Sequence, residues 1–280
     1  MAAPRRRDTR GIVDPSGLLT RVRFRRHEPA EPLRRYVERY WFIDWDLPAP
    51  YASHVVAHPS VNLTFQWDGI DTEDTPPYAE LTGIPHGLYT RKITGKGRVC
   101  GVKFRPGGFR PYVPELPASH WTGRALDARD VFAQASPDTT RALVSPADDT
   151  ARIAALDAFL IPLRPAPDPQ ADLAVDLVEH ARTDRAIRRV DDYAQAAGLS
   201  VRALQRLFSA YVGVAPKWVI LRYRIHEALE LAGTRHEVDW AALAADLGYA
   251  DQAHLVRDFT ATVGVPPKTY TQTTDARPPT

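Results

Sequence analysis

A single cysteine, Cys100, in 280 residues excludes a disulfide and any Cys-Cys zinc site. No apolar run approaches the roughly 18 residues of a membrane span, and the amino-terminal stretch has no secretory apolar core. A soluble, cytoplasmic protein without a membrane partner is therefore expected. There is no Gly-rich phosphate loop, no nucleophile elbow and no pair of placed carboxylates, which removes the commoner enzyme motifs, so no catalytic residue and no cofactor is assigned. The net charge of +2 carries little information about partners. Two domains fit within 280 residues of which 44% are hydrophobic, each with a core of its own.

What the chain does contain is a repeated phrase. Phe208-Ser-Ala-Tyr-Val-Gly-Val-Ala-Pro216 returns 51 residues later as Phe259-Thr-Ala-Thr-Val-Gly-Val-Pro-Pro267. Each copy closes a segment that reads as two short helices joined at a glycine, a helix-turn-helix. In the first, Tyr193, Ala194 and Ala197 face inward, Gly198 makes the turn, and Ser200 caps a second helix. Leu204, Leu207, Phe208 and Tyr211 then form its buried stripe, opposite Arg202, Gln205, Arg206 and Ser209. In the second, Leu243, Ala244 and Leu247 face inward, Gly248 turns the chain, and Asp251 is the cap, one residue farther from its glycine than Ser200. Leu255 and Phe259 hold the core side. Gln252, Ala253, Val256 and Arg257 occupy the places of Val201, Arg202, Gln205 and Arg206, so this helix is poorer in polar reading groups.

Between the copies, Pro216 suits the first turn of a helix, and Trp218, Leu221, Tyr223, Ile225, Ala228, Leu229 and Ala232 sustain a helical pattern to Gly233. Such a linker helix of about 15 residues spans ~22 Å, and Trp218, Leu221, Ile225 and Leu229 should pack against both units. Successive faces of B-DNA recur every ~34 Å, so a tethered pair can enter adjacent major grooves. Residues 171–280 hold 13 basic against 14 acidic side chains, yet Tyr193 to His226 contains no acid while including Arg202, Arg206, Lys217, Arg222 and Arg224. A basic face of this kind is what phosphate contact requires.

These residues carry a resemblance. Ala194 to Gly198, Ser200-Val-Arg-Ala-Leu-Gln-Arg-Leu-Phe208, Gly213-Val-Ala-Pro216, Arg224-Ile-His-Glu-Ala-Leu229, Ala244-Ala-Asp-Leu-Gly-Tyr249, Leu255-Val-Arg-Asp-Phe259 and Gly264-Val-Pro-Pro-Lys-Thr-Tyr270 resemble, in order, the DNA-binding domain of AraC/XylS-type transcriptional regulators. The resemblance implies base reading by Arg202, Gln205, Arg206, Gln252 and Arg257, and phosphate contact by Ser200, Lys217, Arg222 and Lys268. Ala253 matches a position that is often polar in that family. Double-stranded DNA is the implied partner, with a small-molecule effector, RNA polymerase and a second copy of the chain as further candidates.

The expected fold class is α+β, a mixed strand-rich domain followed by an all-α domain. Residues 1–17 read as a disordered tail, 18–164 as the first domain, 165–170 as a stiff Pro-rich linker, 171–272 as the helix-turn-helix domain and 273–280 as a second tail. Strands are expected at Leu19 to Phe24, Trp41 to Trp45, His54 to Ala57, Val61 to Trp67, Tyr89 to Thr94 and Arg98 to Phe104. Helices are expected at Pro32 to Tyr40, after Pro106-Gly-Gly-Phe109, near Asp127 to Ala133 and at Asp148 to Leu163. Tyr36 to Trp41 and Val102 to Gly108 resemble, more loosely, the N-terminal region of some AraC-type regulators, implying an effector or dimerisation role.

Chemistry in this first domain is unspecified by the sequence. His54, His58 and His86 lack a His-x-His pair or a placed carboxylate and read as ordinary histidines. A cupin-like metalloenzyme fused to a DNA-binding tail is the alternative, and stoichiometric bound metal would favour it. Cys100 reads as inert packing in a buried strand. Trp41, Trp45, Trp67 and Tyr89 read first as core and second as the wall of an apolar pocket.

Overall fold

The computed structural model describes residues 11–70, 72, 74–233 and 238–275, with side chains through 271. The chain begins with α1 (Pro15–Leu19) and β1 (Val22–His27), then β2 (Val37–Val56), β3 (Asn62–Trp67), β4 (Tyr78–Thr82), β5 (Leu88–Phe104) and β6 (Ala125–Asp127). These strands form one sheet in the order β1-β2-β5-β3-β4-β6, with every neighbouring pair antiparallel. Helices α2 (Pro137–Val144) and α3 (Asp149–Leu160) follow. The remainder is helical: α4 (Pro169–Thr183), α5 (Val190–Ala196), α6 (Val201–Leu207), α7 (Pro216–Ala232), α8 (Trp240–Asp246), α9 (Gln252–Val263) and α10 (Pro267–Asp275). The α+β architecture is as expected.

Strand alternation sorts the sheet into two faces. Tyr40 and Phe42 of β2, Leu63 and Phe65 of β3, Leu81 of β4, and Cys100, Val102 and Phe104 of β5 share one face and are buried there with Leu143 of α2 and with Leu156, Phe159 and Leu160 of α3. Cys100 donates to the carbonyl of Leu143 at 3.7 Å, and burial pushes its thiol up to about 12. It is a packing residue, not a nucleophile. The opposite face carries Trp41, Ile43 and Trp45 of β2. It can do so because β5 places Gly101 and Gly97 directly across from Trp41 and Trp45, where any Cβ would lie inside the indole rings.

β2 and β5 are each one strand where the sequence suggested two. The apparent gap in β2 is Pro48 and Pro50, which have no N–H to give the ladder. The register slips there instead of ending, so that Leu47 faces Gly95 and Tyr51 faces Ile93. Other expectations are corrected. Pro32 to Tyr40 is a 3-10 turn at Glu31–Leu33 followed by the start of β2, where a bulge against β5 between Val37 and Arg39 lets Val37 and Tyr40 both be buried and so mimics a helical spacing. The Leu19–Phe24 strand begins only at Val22, and the helix near Asp127 is the end of β6 and a 3-10 turn at Ala128–Asp130. β4, β6 and α2 have no counterpart in the expectations.

The tail expected at 1–17 is ordered from residue 11. Ile12 bridges to Val55, and Asp14 caps α1 by accepting from the amide of Gly17 at 2.8 Å. Residues 1–10 and 276–280 lie outside the described residues, but α10 extends to Asp275, into the second expected tail. The Pro-rich linker ends early, since α4 starts at Pro169 with Asp168 as its cap.

One ionic cluster ties the sheet to α3. Asp44 of β2 is paired with Arg25, with Arg98 at 2.5 Å and with Arg152 at 3.2 Å, and Arg25 and Arg152 also reach Asp149. Arg152 is 1% exposed. Burial alone would raise the Asp44 pKa, but hydrogen bonds from Arg152, Arg98 and Arg25 outweigh it and hold the carboxyl below its ordinary value. Its stabilisation is therefore complete above the unfolded-state value near 4 and is lost as pH falls through the lower folded-state value. Asp44→Asn should destabilise at neutral pH, by less than the ~3–5 kcal/mol of a fully stranded buried charge, because Arg152 keeps Asp149 at 3.5 Å. Denaturant melts at pH 7 and pH 3 check this, and the gap between variant and native protein should narrow at the lower pH.

Candidate nucleic-acid interface

The two repeated phrases form two units of the same local design. After α5, the amide of Gly198 donates to Gln195 at 3.0 Å and that of Leu199 to Ala194 at 2.9 Å. After α8, Gly248 donates to Ala245 at 3.0 Å and Tyr249 to Ala244 at 2.8 Å. Both pairs close a helix at a glycine in the left-handed region, the hydrogen-bond arrangement that ends helices generally. Ser200 then accepts from the amide of Ala203 at 3.2 Å to start α6, and Asp251 from that of His254 at 2.7 Å to start α9.

The inner stripes pack as expected with one change. Leu204, Leu207 and Phe208 are buried in the first unit, and Leu255 and Phe259 in the second. The last inward residue after α6 is Val212, not Tyr211, because Phe208–Val212 winds as a single π turn. The wider turn leaves Tyr211 half-buried at the edge of that core, where its ring also stacks under Arg110 of the sheet domain at 4.6 Å.

The outer residues divide. Arg202, Gln205 and Arg206 on α6, Gln252 and Arg257 on α9, and Ser200, Lys217 and Lys268 are all exposed. Arg222 is not. It is 5% exposed, donates to the carbonyl of His86 at 3.2 Å and stacks on Trp218 at 4.2 Å. Desolvation lowers its pKa to about 10. Its assignment as a phosphate contact is corrected, since the helix turns it toward the sheet domain. Arg224 also turns inward, donating to the carbonyl of Arg188 at 2.6 Å before α5 while lying over the Tyr249 ring after α8. It ties one unit to the other. The basic face expected between Tyr193 and His226 is thus reduced to Arg202, Arg206 and Lys217.

Helix α7 packs on both units as expected, Ile225 and Leu229 being buried in the second core, while the first core is entered by Val219 and Ile220 more deeply than by Trp218. Val219 and Ile220 enter the core of the first unit with Tyr193, Leu204 and Phe208, while Ile225, Ala228 and Leu229 enter that of the second. Trp218 and Leu221 are only half-buried. The cost of Trp218→Ala is accordingly below the ~3–5 kcal/mol of a fully buried tryptophan. The sheet domain completes both cores, giving Ile84 to the first and Val56 to the second. His226 of α7 donates from Nε2 to the carbonyl of Val56 at 2.9 Å, and its ring meets that of His58 edge-on at 4.2 Å.

Residues 193–273 match the family model described as a helix-turn-helix domain. The C-terminal region is an AraC-type helix-turn-helix domain. Residues 25–127 match a family described as a domain of unknown function (DUF6597). Among solved structures, the chain is similar to an AraC-type transcriptional regulator from Chromobacterium violaceum, at 22% identity over 37% of this chain and 91% of that one, with a TM-score of 0.33. It is similar to ToxT from Vibrio cholerae at 12% identity over 91% of this chain and 99% of that one, with a TM-score of 0.43. A third is the DNA-binding domain of AdpA in complex with a target DNA, at 25% identity over 40% and 96%, with a TM-score of 0.33. No curated protein matches the chain.

In the AraC-type domain the glycines of the repeated phrase, Gly213 and Gly264, occupy the left-handed region at φ +96° and +86°. Alanine there costs ~1–2 kcal/mol in backbone strain at either position. At Gly264 the new methyl would meet only Leu88 at 3.6 Å, but at Gly213 it would press on Thr122 Oγ1 at 2.9 Å and on the Ala118 carbonyl at 3.0 Å. Gly213→Ala should therefore destabilise more than Gly264→Ala in chemical denaturation, and equal losses would refute the docked contact. Arg222→Met should raise the melting temperature, by roughly 2–4 °C for each kcal/mol of desolvation recovered, as read by calorimetry.

Two sets of histidines and aromatics also have their places. His54 meets Thr90 Oγ1 at 2.9 Å, His58 faces α7, and the carbonyl of His86 serves Arg222. Among the described residues, no three His, Cys, Asp or Glu side chains form a group that could hold a metal ion. Trp67 packs with the main core, whereas Trp41, Trp45 and Tyr89 border a cavity on the other face of the sheet.

Proposed function

We propose that this protein, a transcriptional regulator by its AraC-type domain, is sequence-specific and reads adjacent major grooves with α6 and α9, under control of a ligand-sensing sheet domain. One observation carries the reading. Two helices capped in the same way present exposed hydrogen-bonding side chains and are tied to one 17-residue helix, α7, by cores on either side of it. At 1.5 Å per residue that helix is ~25 Å long, which suits two modules placed on one side of a duplex.

Arg202 and Arg206 lie one helical turn apart with Gln205 between them. Arginine pairs with guanine O6 and N7, and glutamine with adenine N6 and N7, each good bidentate pair discriminating by ~1–3 kcal/mol. Gln252 and Arg257 do the corresponding work in the second half-site, with fewer polar groups. Ser200, Lys217 and Lys268 are the phosphate contacts, and they set register without reading sequence. A small-molecule effector, RNA polymerase and a second copy of the chain are the further partners of this reading.

Binding-site selection from random DNA tests it. Arg202→Ala or Gln205→Ala should relax preference at one or two base pairs in one half of a site whose halves lie about 10 base pairs apart. Arg257→Ala should relax the other half. Lys217→Ala should weaken all sequences alike and reduce the salt dependence by about 0.9 in log–log slope. A native protein that selects no common sequence removes the mechanism.

A further inference from the structure

The two helix-turn-helix units meet each other directly as well as through α7. Ile187 is buried in the core of the first unit, which fixes the backbone leading into α5. The next residue, Arg188, lays its side chain along the turn between α8 and α9 of the second unit. A Cβ on Gly248 would lie 2.6 Å from Cδ of Arg188 and 2.9 Å from its Nε, an approach that a residue without a side chain permits.

Arg224 of α7 sits in this seam. Its Nη2 donates to the carbonyl of Arg188 at 2.6 Å, and its guanidinium carbon lies 5.6 Å from the centre of the Tyr249 ring. Tyr249 is 6% exposed, belongs to the core of the second unit, and meets the His254 ring of α9 edge-on at 5.1 Å. One side chain therefore holds both the backbone that opens α5 and the aromatic that braces α9. The apolar cores along α7 oppose separation of the units but are non-directional. A charge-assisted hydrogen bond fixes a length and an angle. Moving one half-site of B-DNA by a base pair displaces it by roughly 3.4 Å, a tenth of the ~34 Å turn, which is farther than the bond from Arg224 to Arg188 can stretch.

We propose that Arg224 is a positioning residue for DNA recognition, locking the two units across the seam so that the protein accepts one spacing of half-sites. The proposal rests on the reading of α6 and α9 as helices in adjacent major grooves, and it assigns their spacing to a side chain that faces the protein instead of the duplex. A second tie supplies a control. Arg185, in the same segment of the first unit, pairs with Glu227 of α7 and so joins that segment to α7 alone.

The test uses the full chain and the sequence selected by the native protein, with the stretch between its halves shortened or lengthened by one base pair. Native protein should lose about tenfold or more in affinity for either altered spacing, the weight of one charge-assisted hydrogen bond. Arg224→Met, which keeps an apolar stem on Tyr249 and removes the donors, should bind all three spacings within about threefold of one another, while each half keeps its base preferences. Arg224→Lys, which retains a donor, should discriminate to an intermediate degree, and Glu227→Gln should discriminate as the native protein does. Thermal melts confirm that each variant is folded, and the Lys variant carries the test if the Met variant is not. Native discrimination in a folded Arg224→Met or Arg224→Lys variant, a native protein indifferent to spacing, or a change of base preference in place of a change of spacing preference overturns the proposal. A native protein that selects no common sequence fails one step earlier, removing the groove-reading model and the proposal with it.

Discussion

The docking of α7 on the rim of the sheet is the contact on which the rest of the molecule depends. His226 donates to the carbonyl of Val56, the last residue of β2, and Arg222 to that of His86, just before β5. Around these bonds, Val56 and Ile84 are inserted into the cores of the second and first helix-turn-helix units, each almost fully buried. A two-domain chain usually joins its parts through a polar surface that lets them move. Here the sheet domain supplies a buried residue to each helix-turn-helix unit, so separation would expose side chains from two cores at once.

That docking is charged as well as apolar. Of the five cations between Tyr193 and His226, three face outward and two face in. Arg224 crosses between the two units and fixes their relation, while Arg222 is buried on Trp218 with only a carbonyl opposite. Taking an unpaired guanidinium out of water is costly, and the depressed pKa of Arg222 reports that cost. The docked state is therefore held by apolar contact against an electrostatic penalty.

The sheet solves a different problem with the same economy. One face is a conventional core closed by α2 and α3 and locked by the arginine cluster around Asp44. The other sets three aromatics along a cavity, which is possible because two glycines on β5 let the indoles lie flat where side chains would stand. Two prolines in β2 and the register slip they cause separate the body of the strand from the end that roofs the cavity.

Much of the helical half was legible in the sequence. The repeated phrase, the turn glycines, the Ser200 and Asp251 caps and the inner stripes are local properties, set by periodicities of three and four residues and by side chains bonding their own backbone. β3 and the later part of β5 were legible as strands for the same reason, as was the burial of Cys100. Tertiary structure decided the rest. It joined the two halves of β2 and of β5, because a proline interrupts a ladder locally while distant strand pairing continues across it. It gave Ile12 and residues 11–17 a partner that no neighbour in sequence supplies. It turned Arg222 and Arg224 inward, since a sequence records that a helix face is basic but not whether water or another domain covers that face. And it set Trp41, Trp45 and Tyr89 around a cavity, because whether an aromatic fills space or borders it depends on what stands across the sheet.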